Sequence, residues 1–266
     1  MKIILLGSNG MLGSYLRSYL SDKYELLPLT RNDIDLSTSE SDIISYLDKI
    51  TNEGDVIINS AGVIKQRDYN VKDMIMLNSV LPHTLNKIKV LKKCEVIHIT
   101  TDCVFSGKEG NYTEESAHDC LDDYGKSKSI GENSNNTNIR TSIIGEELQN
   151  KKSLIEWVRS NANNIINGYN NHLWNGLTCL ELSILIHKII SEDLFWEGTK
   201  HIHSPNTVSK YELTSMINEI YELNIHIDKI ETKDNCFRNL SSLYDFPIIK
   251  DLYTQIKEQK EFKING

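Results

Sequence analysis

At 266 residues the chain can bury one large core or one and a half, and with 39% hydrophobic and 25% charged residues it excludes wholesale disorder, collagen and coiled coil. Its 29 lysines and arginines against 37 aspartates and glutamates give a net charge of −8, which offers nucleic acid no bulk attraction. No stretch approaches the ~20 apolar residues of a membrane span, and the opening MKIILLG meets a glycine too early for a secretory signal, so a cytoplasmic location is expected.

In chain order, Ile3–Leu6, Glu25–Leu29, Val56–Asn59, Val96–Thr100 and Asn138–Thr141 read as strands. Between them lie the helical patterns Met11–Leu20, Glu40–Ile50, Met74–Val90 and Gly125–Asn133. The runs IILL, VIIN and VIHIT are too continuously apolar for a sheet with a wet face, so helices must cover both sides. The expectation is an α/β fold, a Rossmann-type doubly wound parallel sheet. After Thr141 the pattern loosens into helices at Leu154–Asn163, Cys179–Ser191, Lys210–Leu223 and Ile248–Gln259, with a short strand at His201–His203. Residues 151–266 therefore read as a smaller, mostly helical lobe beside a first domain of residues 1–150, with interleaving of the two left open. The five cysteines are odd in number and lack CxxC spacing, and the histidines have no ligand-spaced partners, so neither a disulfide framework nor a metal site is expected.

The first strand runs into Gly7-Ser8-Asn9-Gly10-Met11-Leu12-Gly13 and an amphipathic helix. Glycines at this spacing permit a tight turn, close approach of the backbone to a pyrophosphate, and close helix packing, while the helix N-terminus aims amides at the anion. At the end of the second strand stands Thr30-Arg31, where an acidic residue would pair with the ribose of NAD; a small residue and an arginine suit the extra phosphate of NADP. The alternative is that Arg31 is a solvated charge and Asp33 takes the ribose. Asp33-Ile34-Asp35-Leu36 fits the end of a third strand beside the adenine, with Asp35 as acceptor and Leu36 alongside, although aspartates here also suit helix capping. Ala61 and Gly62, in NSAG after the strand VIIN, are small enough for a dinucleotide to pass over.

The strand VIHIT ends in Thr100-Thr101-Asp102-Cys103, and Tyr124-Gly125-Lys126-Ser127-Lys128 follows. Tyr124 and Lys128, four apart on a helix, share a face. A hydride delivered to a ketone leaves charge growing on oxygen; a positioned phenol can protonate it, an ammonium can stabilise the phenolate, and the Thr101 hydroxyl can orient the carbonyl. The plainer alternative is an exposed helix start with Tyr124 as packing.

Together GSNGMLG, NSAG, TTDCVFSG, YGKSK and SIGE resemble the extended short-chain dehydrogenases/reductases, and most of all the dTDP-4-dehydrorhamnose reductases and related nucleotide-sugar 4-ketoreductases. IRTSIIG, NGLTCLEL and HIHSPNTVSKYEL extend the likeness over most of the chain. The resemblance implies Tyr124 as proton donor, Lys128 at the nicotinamide ribose and Thr101 as third catalytic residue. It also implies NADPH as cofactor and a role in making activated deoxysugars for surface polysaccharide, with a homodimer as one assembly. Where the rhamnose enzymes commonly carry tyrosine two residues after the threonine, this chain has Cys103, as in GDP-fucose synthases that epimerise with a cysteine and a histidine; the matching stretch Ile143–Asn150 has no histidine. Two further alternatives stay open: an epimerase-reductase, and a non-catalytic NADP-holding regulatory subunit. For a nucleotide-sugar substrate the candidate contacts are Lys65, Gln66, Cys103, Trp174 and Arg238, with Trp174 equally suited to a core.

Overall fold

The computed structural model describes residues 1–64, 70–132, 135–149 and 151–265. Its first half is a run of βα units: β1 (Lys2–Leu6), α1 (Met11–Leu20), β2 (Glu25–Leu29), α2 (Glu40–Ile50) and β3 (Val56–Asn59). Then come α3 (Val71–Ile75), a π-helical turn at Met76–Val80, α4 (Leu81–Lys92), β4 (Glu95–Thr101), a 3-10 turn at Asp102–Val104, α5 (Asp123–Gly131) and β5 (Thr137–Thr141). The second half holds β6 (Ile143–Ile144), α6 (Leu154–Ser160), β7 (Ile165–Tyr169), β8 (His172–Trp174), β9 (Leu177–Thr178) and α7 (Cys179–Ser191). It continues through β10 (Gly198–His201), β11 (Val208–Ser209), α8 (Lys210–Tyr221), β12 (His226–Ile230), β13 (Cys236–Phe237) and α9 (Leu252–Glu261).

Six strands form one parallel sheet in the order β10-β5-β4-β3-β1-β2. Both faces are covered. Ile3, Leu5, Val56 and Ile58 pack with α1 and α7, whereas Ile4, Leu6 and Ile57 pack with α2 and α4. Chain order reverses at β1, which has β2 on one side and β3 on the other, and the crevice beyond the carboxyl ends of strands at such a switch point is where ligands enter open α/β sheets. A second core joins α6, α8 and α9 through Ile155, Val158, Leu213, Ile217, Leu252 and Ile256. Through α7 and β10 the later half of the chain also contributes to the main sheet.

Several expectations shift. Asp33–Leu36 is a turn, not a third-strand end: Asp33 accepts from the backbone N and Oγ1 of Thr30 at 2.8 and 2.7 Å, and Asp35 from the N and Oγ of Ser37 at 3.0 and 2.7 Å. Side-chain acceptors thus hold the backbone in turns. The single helix expected over Met74–Val90 is interrupted by the π turn, within which buried Asn78 bonds both the N–H and C=O of Val63 and the hydroxyl of Ser127. The last helix starts at Leu252, capped by Asp251, because Ile248 is fully solvent-exposed. The strand expected at His201–His203 lies over Gly198–His201, and the parallel pair β7 and β12 was not anticipated.

Candidate active site

A cleft of about 370 Å³ opens at the carboxyl edge of the sheet. It is walled by Gly10, Met11 and Leu12 after β1, by Ser60–Gly62 after β3, by Thr101–Cys103 at the end of β4, and by Tyr124 and Lys128 on α5. Trp174 and Lys210 close it from the second half of the chain.

The glycine turn is built for close approach. Gly7 has φ +77°, and a Cβ at Gly13 would lie 2.1 Å from the Gly7 carbonyl oxygen, so neither position admits another side chain without moving backbone. Gly10 caps α1 with no side chain on its amides, and no acidic residue stands in the first turn. The positive end of α1 therefore faces the cleft uncompensated. Asn9 is exposed and accepts from Arg17 Nη1 at 3.3 Å, away from the cleft lining.

Arg31 lies exposed past β2, with Nη2 3.8 Å from Asp35 and 4.0 Å from Asp73. Contacts this long between exposed groups are weak, so the guanidinium is free to turn towards a stronger anion. Asp35 is held below the usual carboxylate range by Ser37, while Asp33, also lowered, is engaged by Thr30. Leu36 is buried with Ile4, Leu6 and Ile43, which removes its side chain from the cleft. Lys65 and Gln66 lie outside the described residues.

Tyr124 and Lys128 are brought to the cleft by α5, which Asp122 caps by accepting from the Gly125 N–H at 2.9 Å. The helix can press this close because positions 125 and 131 lack side chains: a Cβ would lie 2.3 Å from the Cys103 carbonyl oxygen and 1.9 Å from that of Asn78, respectively. Burial raises the Tyr124 phenol well above its usual range, and nearby Cys103 adds to this; hydrogen bonding to Thr101 pulls the other way. The phenol is thus a proton holder until something withdraws its proton. Lys128 is buried, donates to the Ile99 carbonyl at 3.3 Å, and is pushed down to about 8 by burial against the opposing effect of Glu132. Thr101 donates to Asp102 at 3.2 Å and accepts from the Cys103 N–H at 3.2 Å.

On the opposite side Lys210 lines the cleft, while Arg238, outside the lining, reaches Cys103. Arg238 Nη1 lies 3.4 Å from Cys103 Sγ as donor, and Lys210 Nζ sits 5.1 Å from the centre of the Trp174 ring. Trp174 is both cleft wall and member of the second core. Burial raises Asp102, offset by Arg238 and Lys210, and burial lowers Lys210. Neither Asp102 nor Lys210 was singled out from sequence. Lys210 had one available signal: it occupies the first turn of α8, where a helix disfavours a cation.

A parallel sheet with this strand order, a glycine turn after β1 and a Tyr-x-x-x-Lys helix at its carboxyl edge define a protein of the Rossmann-type α/β class. Within that class, the chain belongs to the family described as RmlD substrate binding domain, which it matches over residues 1–145. Among solved structures it is similar to a dTDP-4-dehydrorhamnose reductase from Clostridium acetobutylicum at 20% identity and TM-score 0.82, with 98% of this chain and 99% of that chain covered. A dTDP-4-dehydrorhamnose reductase from Bacillus anthracis, solved in complex with NADP, is 19% identical with TM-score 0.83 and 98% coverage of each. A GDP-mannoheptose C4 reductase from Campylobacter jejuni with NADP bound is 14% identical, with TM-score 0.73 and coverage of 98% and 97%. At such identities the likeness is one of fold. No curated protein sequence gives a match. No helix among the described residues is long and apolar enough to cross a membrane.

Proposed function

We propose that this chain is an NADPH-dependent reductase of a nucleotide-linked 4-keto-6-deoxyhexose, working in the cytoplasm on activated sugars destined for surface polysaccharide. Residues 1–150 bind the dinucleotide and residues 151–266 cover the sugar. The observation that carries this reading is that Thr101 at the end of β4, together with Tyr124 and Lys128 on α5, lines the same cleft as the uncapped start of α1. The B. anthracis reductase solved with NADP supports the choice of cofactor.

The residues present fit a dinucleotide. Gly7, Gly10 and Gly13 leave a side-chain-free cradle for a pyrophosphate at the α1 amides, and Gly62, beside Lys128 Nζ, leaves space above the ammonium. Ala61 and Gly62 would underlie the dinucleotide, Arg31 would meet the 2′-phosphate, and Lys128 would hold the nicotinamide ribose. When bound, NADPH supplies the hydride. Tyr124 supplies the proton: its raised pKa keeps the phenol protonated until the carbonyl oxygen becomes basic as charge develops on it. Lys128, cationic below about pH 8, stabilises the phenolate left behind. Thr101 would direct its hydroxyl at the same oxygen by exchanging the bond it donates to Asp102. Cys103, Arg238 and Trp174 bound the sugar side, with Arg238 and Lys210 as cations for an anionic substrate.

NADPH oxidation across UDP-, dTDP- and GDP-linked 4-ketosugars tests the reading, and no turnover on any of them refutes it. The contact between Arg238 and Cys103 favours a second reading, an epimerase-reductase, because a cation beside a thiol promotes its thiolate. That reading predicts solvent deuterium entering C3 or C5 and lost in Cys103→Ser.

A further inference from the structure

Behind the cleft, a buried polar cluster ties α5 to the sheet. Glu132, one helical turn beyond Lys128, accepts from Arg140 Nε at 3.0 Å and from Arg140 Nη2, and also from Thr100 Oγ1 at 3.0 Å. Arg140, on β5, is nearly inaccessible, and its remaining reach is spent on two imidazoles: Nη1 to His201 Nε2 and Nη2 to His118 Nε2, both at 2.7 Å. A guanidinium only donates, so both Nε2 atoms accept and both rings carry their proton on Nδ1. There His118 donates to Ser129 Oγ at 2.6 Å and His201 to the Ser241 carbonyl at 2.7 Å. Both rings are thus neutral, in agreement with burial and Arg140 pushing His201 down to about 4 and burial lowering His118.

One group of α5 and one of its C-terminal cap are thereby fastened to consecutive residues of β4: the Lys128 ammonium to the Ile99 carbonyl, and the Glu132 carboxylate to the Thr100 hydroxyl. We propose that Glu132, clamped by Arg140, is the positioning residue of Lys128, supplying the buried counter-charge that keeps its ammonium ionised and aimed into the cleft. Among the described residues, His98 on β4 also faces Lys128, and Tyr124, one turn earlier on α5, lines the same cleft. Burial holds the former neutral and the latter protonated, so neither supplies that counter-charge. Glu132 in turn faces Arg140 from β5, Thr199 from β10, Thr100 from β4 and His118 from the loop before α5. Of these, Arg140 is the one charged group, and its fork holds the carboxylate in a single geometry.

The inference rests on Lys128 holding NADPH. It is tested by measuring NADPH affinity through tryptophan fluorescence from roughly pH 6 to 10 in the wild type, Glu132→Gln and Arg140→Lys. Wild-type affinity should fall as pH rises through about 8. Glu132→Gln should move that midpoint down by on the order of one pH unit, as expected for losing one charge at i, i+4 in a partly buried site. Arg140→Lys keeps the carboxylate but loosens its clamp, so it should lower the melting temperature and displace the midpoint less than Glu132→Gln does. An equal displacement in Arg140→Lys, or a Glu132→Gln midpoint that coincides with the wild type while affinity drops uniformly, overturns the proposal. If Glu132→Gln does not fold, Glu132→Asp, whose charge is retracted, must show a smaller displacement in the same direction, and an unmoved midpoint there also refutes it. Wild-type protein that binds no NADPH at any pH refutes the functional reading itself and the inference with it.

Discussion

The close seating of α5 makes Gly125→Ala an informative perturbation. The added methyl would lie 2.3 Å from the Cys103 carbonyl oxygen and 2.8 Å from Cys120 Cβ. Carbon-to-oxygen contacts settle near ~3.3 Å, so the first turn of α5 must retreat by about 1 Å from the end of β4. Tyr124 is on that turn while Thr101 is on the strand, so the retreat separates the phenol from the hydroxyl that helps it. A 1 Å error in a reacting group is enough for about a hundredfold loss of kcat, and overpacking of this kind costs about 1–3 kcal/mol, or roughly 2 to 12 °C in Tm for a chain of this size. Ketosugar-dependent NADPH oxidation and thermal melting read the two effects separately. Gly54→Ala is the control: its φ of +78° strains an alanine but nothing lies within 4 Å, so it should lose stability without losing kcat. If Gly125→Ala kept wild-type kcat and Tm, the claim that this contact positions the phenol would be wrong.

Three further outcomes follow from the same geometry. Tyr124→Phe should lower kcat by about 10²- to 10⁴-fold with NADPH affinity nearly unchanged, and unimpaired turnover would remove the phenol from the chemistry. Arg31→Ala should reduce the preference for NADPH over NADH by about tenfold, a modest figure because the guanidinium is exposed and its contacts with Asp35 and Asp73 are long; an unchanged preference would place the 2′-phosphate elsewhere. The third concerns pH. Burial lowers Lys128 to about 8, so the useful ammonium is present below that pH and lost above it, and kcat/KM should decline as pH rises through that value. A profile that stays level well into the alkaline range would show that the ammonium is dispensable.

The sheet was legible because its signal is local and doubled. IILL, VIIN and VIHIT have no polar face, and a strand buried on both sides can hardly be anything but central in a parallel sheet. Asp33-Ile34-Asp35-Leu36, expected as the end of a third strand, is different: each aspartate finds a nearby hydroxyl and amide and bends the chain into a turn. The π turn at Met76–Val80 has no periodic signature at all, since the interior partners of Asn78 come from Val63 and Ser127, elements the local pattern does not encode. The pair β7 and β12 leaves little trace in the sequence because β7 has an exposed face and a glycine within the strand, which weakens any strand pattern.

For the cleft, the division lies between spacing and distance. Tyr124 and Lys128 are related by one helical turn, and the glycines by one tight turn, so sequence spacing alone places each set. The charges that surround them are related only through the fold: Arg140 follows β4 by a whole βα unit, yet it fixes Glu132, and Lys210 enters from the second half of the chain to stand near Asp102. What sequence does offer at such positions is a local contradiction. A lysine in the first turn of α8 opposes the helix dipole, and an aspartate between Thr101 and Cys103 ends a strand in a buried place; each is disfavoured where it stands. Opposite charges near one another in the cleft relieve both penalties at once, and Lys210, half-buried with its ammonium making no hydrogen bond or ion pair among the described residues, keeps donors for an incoming anion. Residues that violate a local rule in a chain otherwise consistent with its fold are therefore the ones to test as substrate contacts, beginning with Lys210.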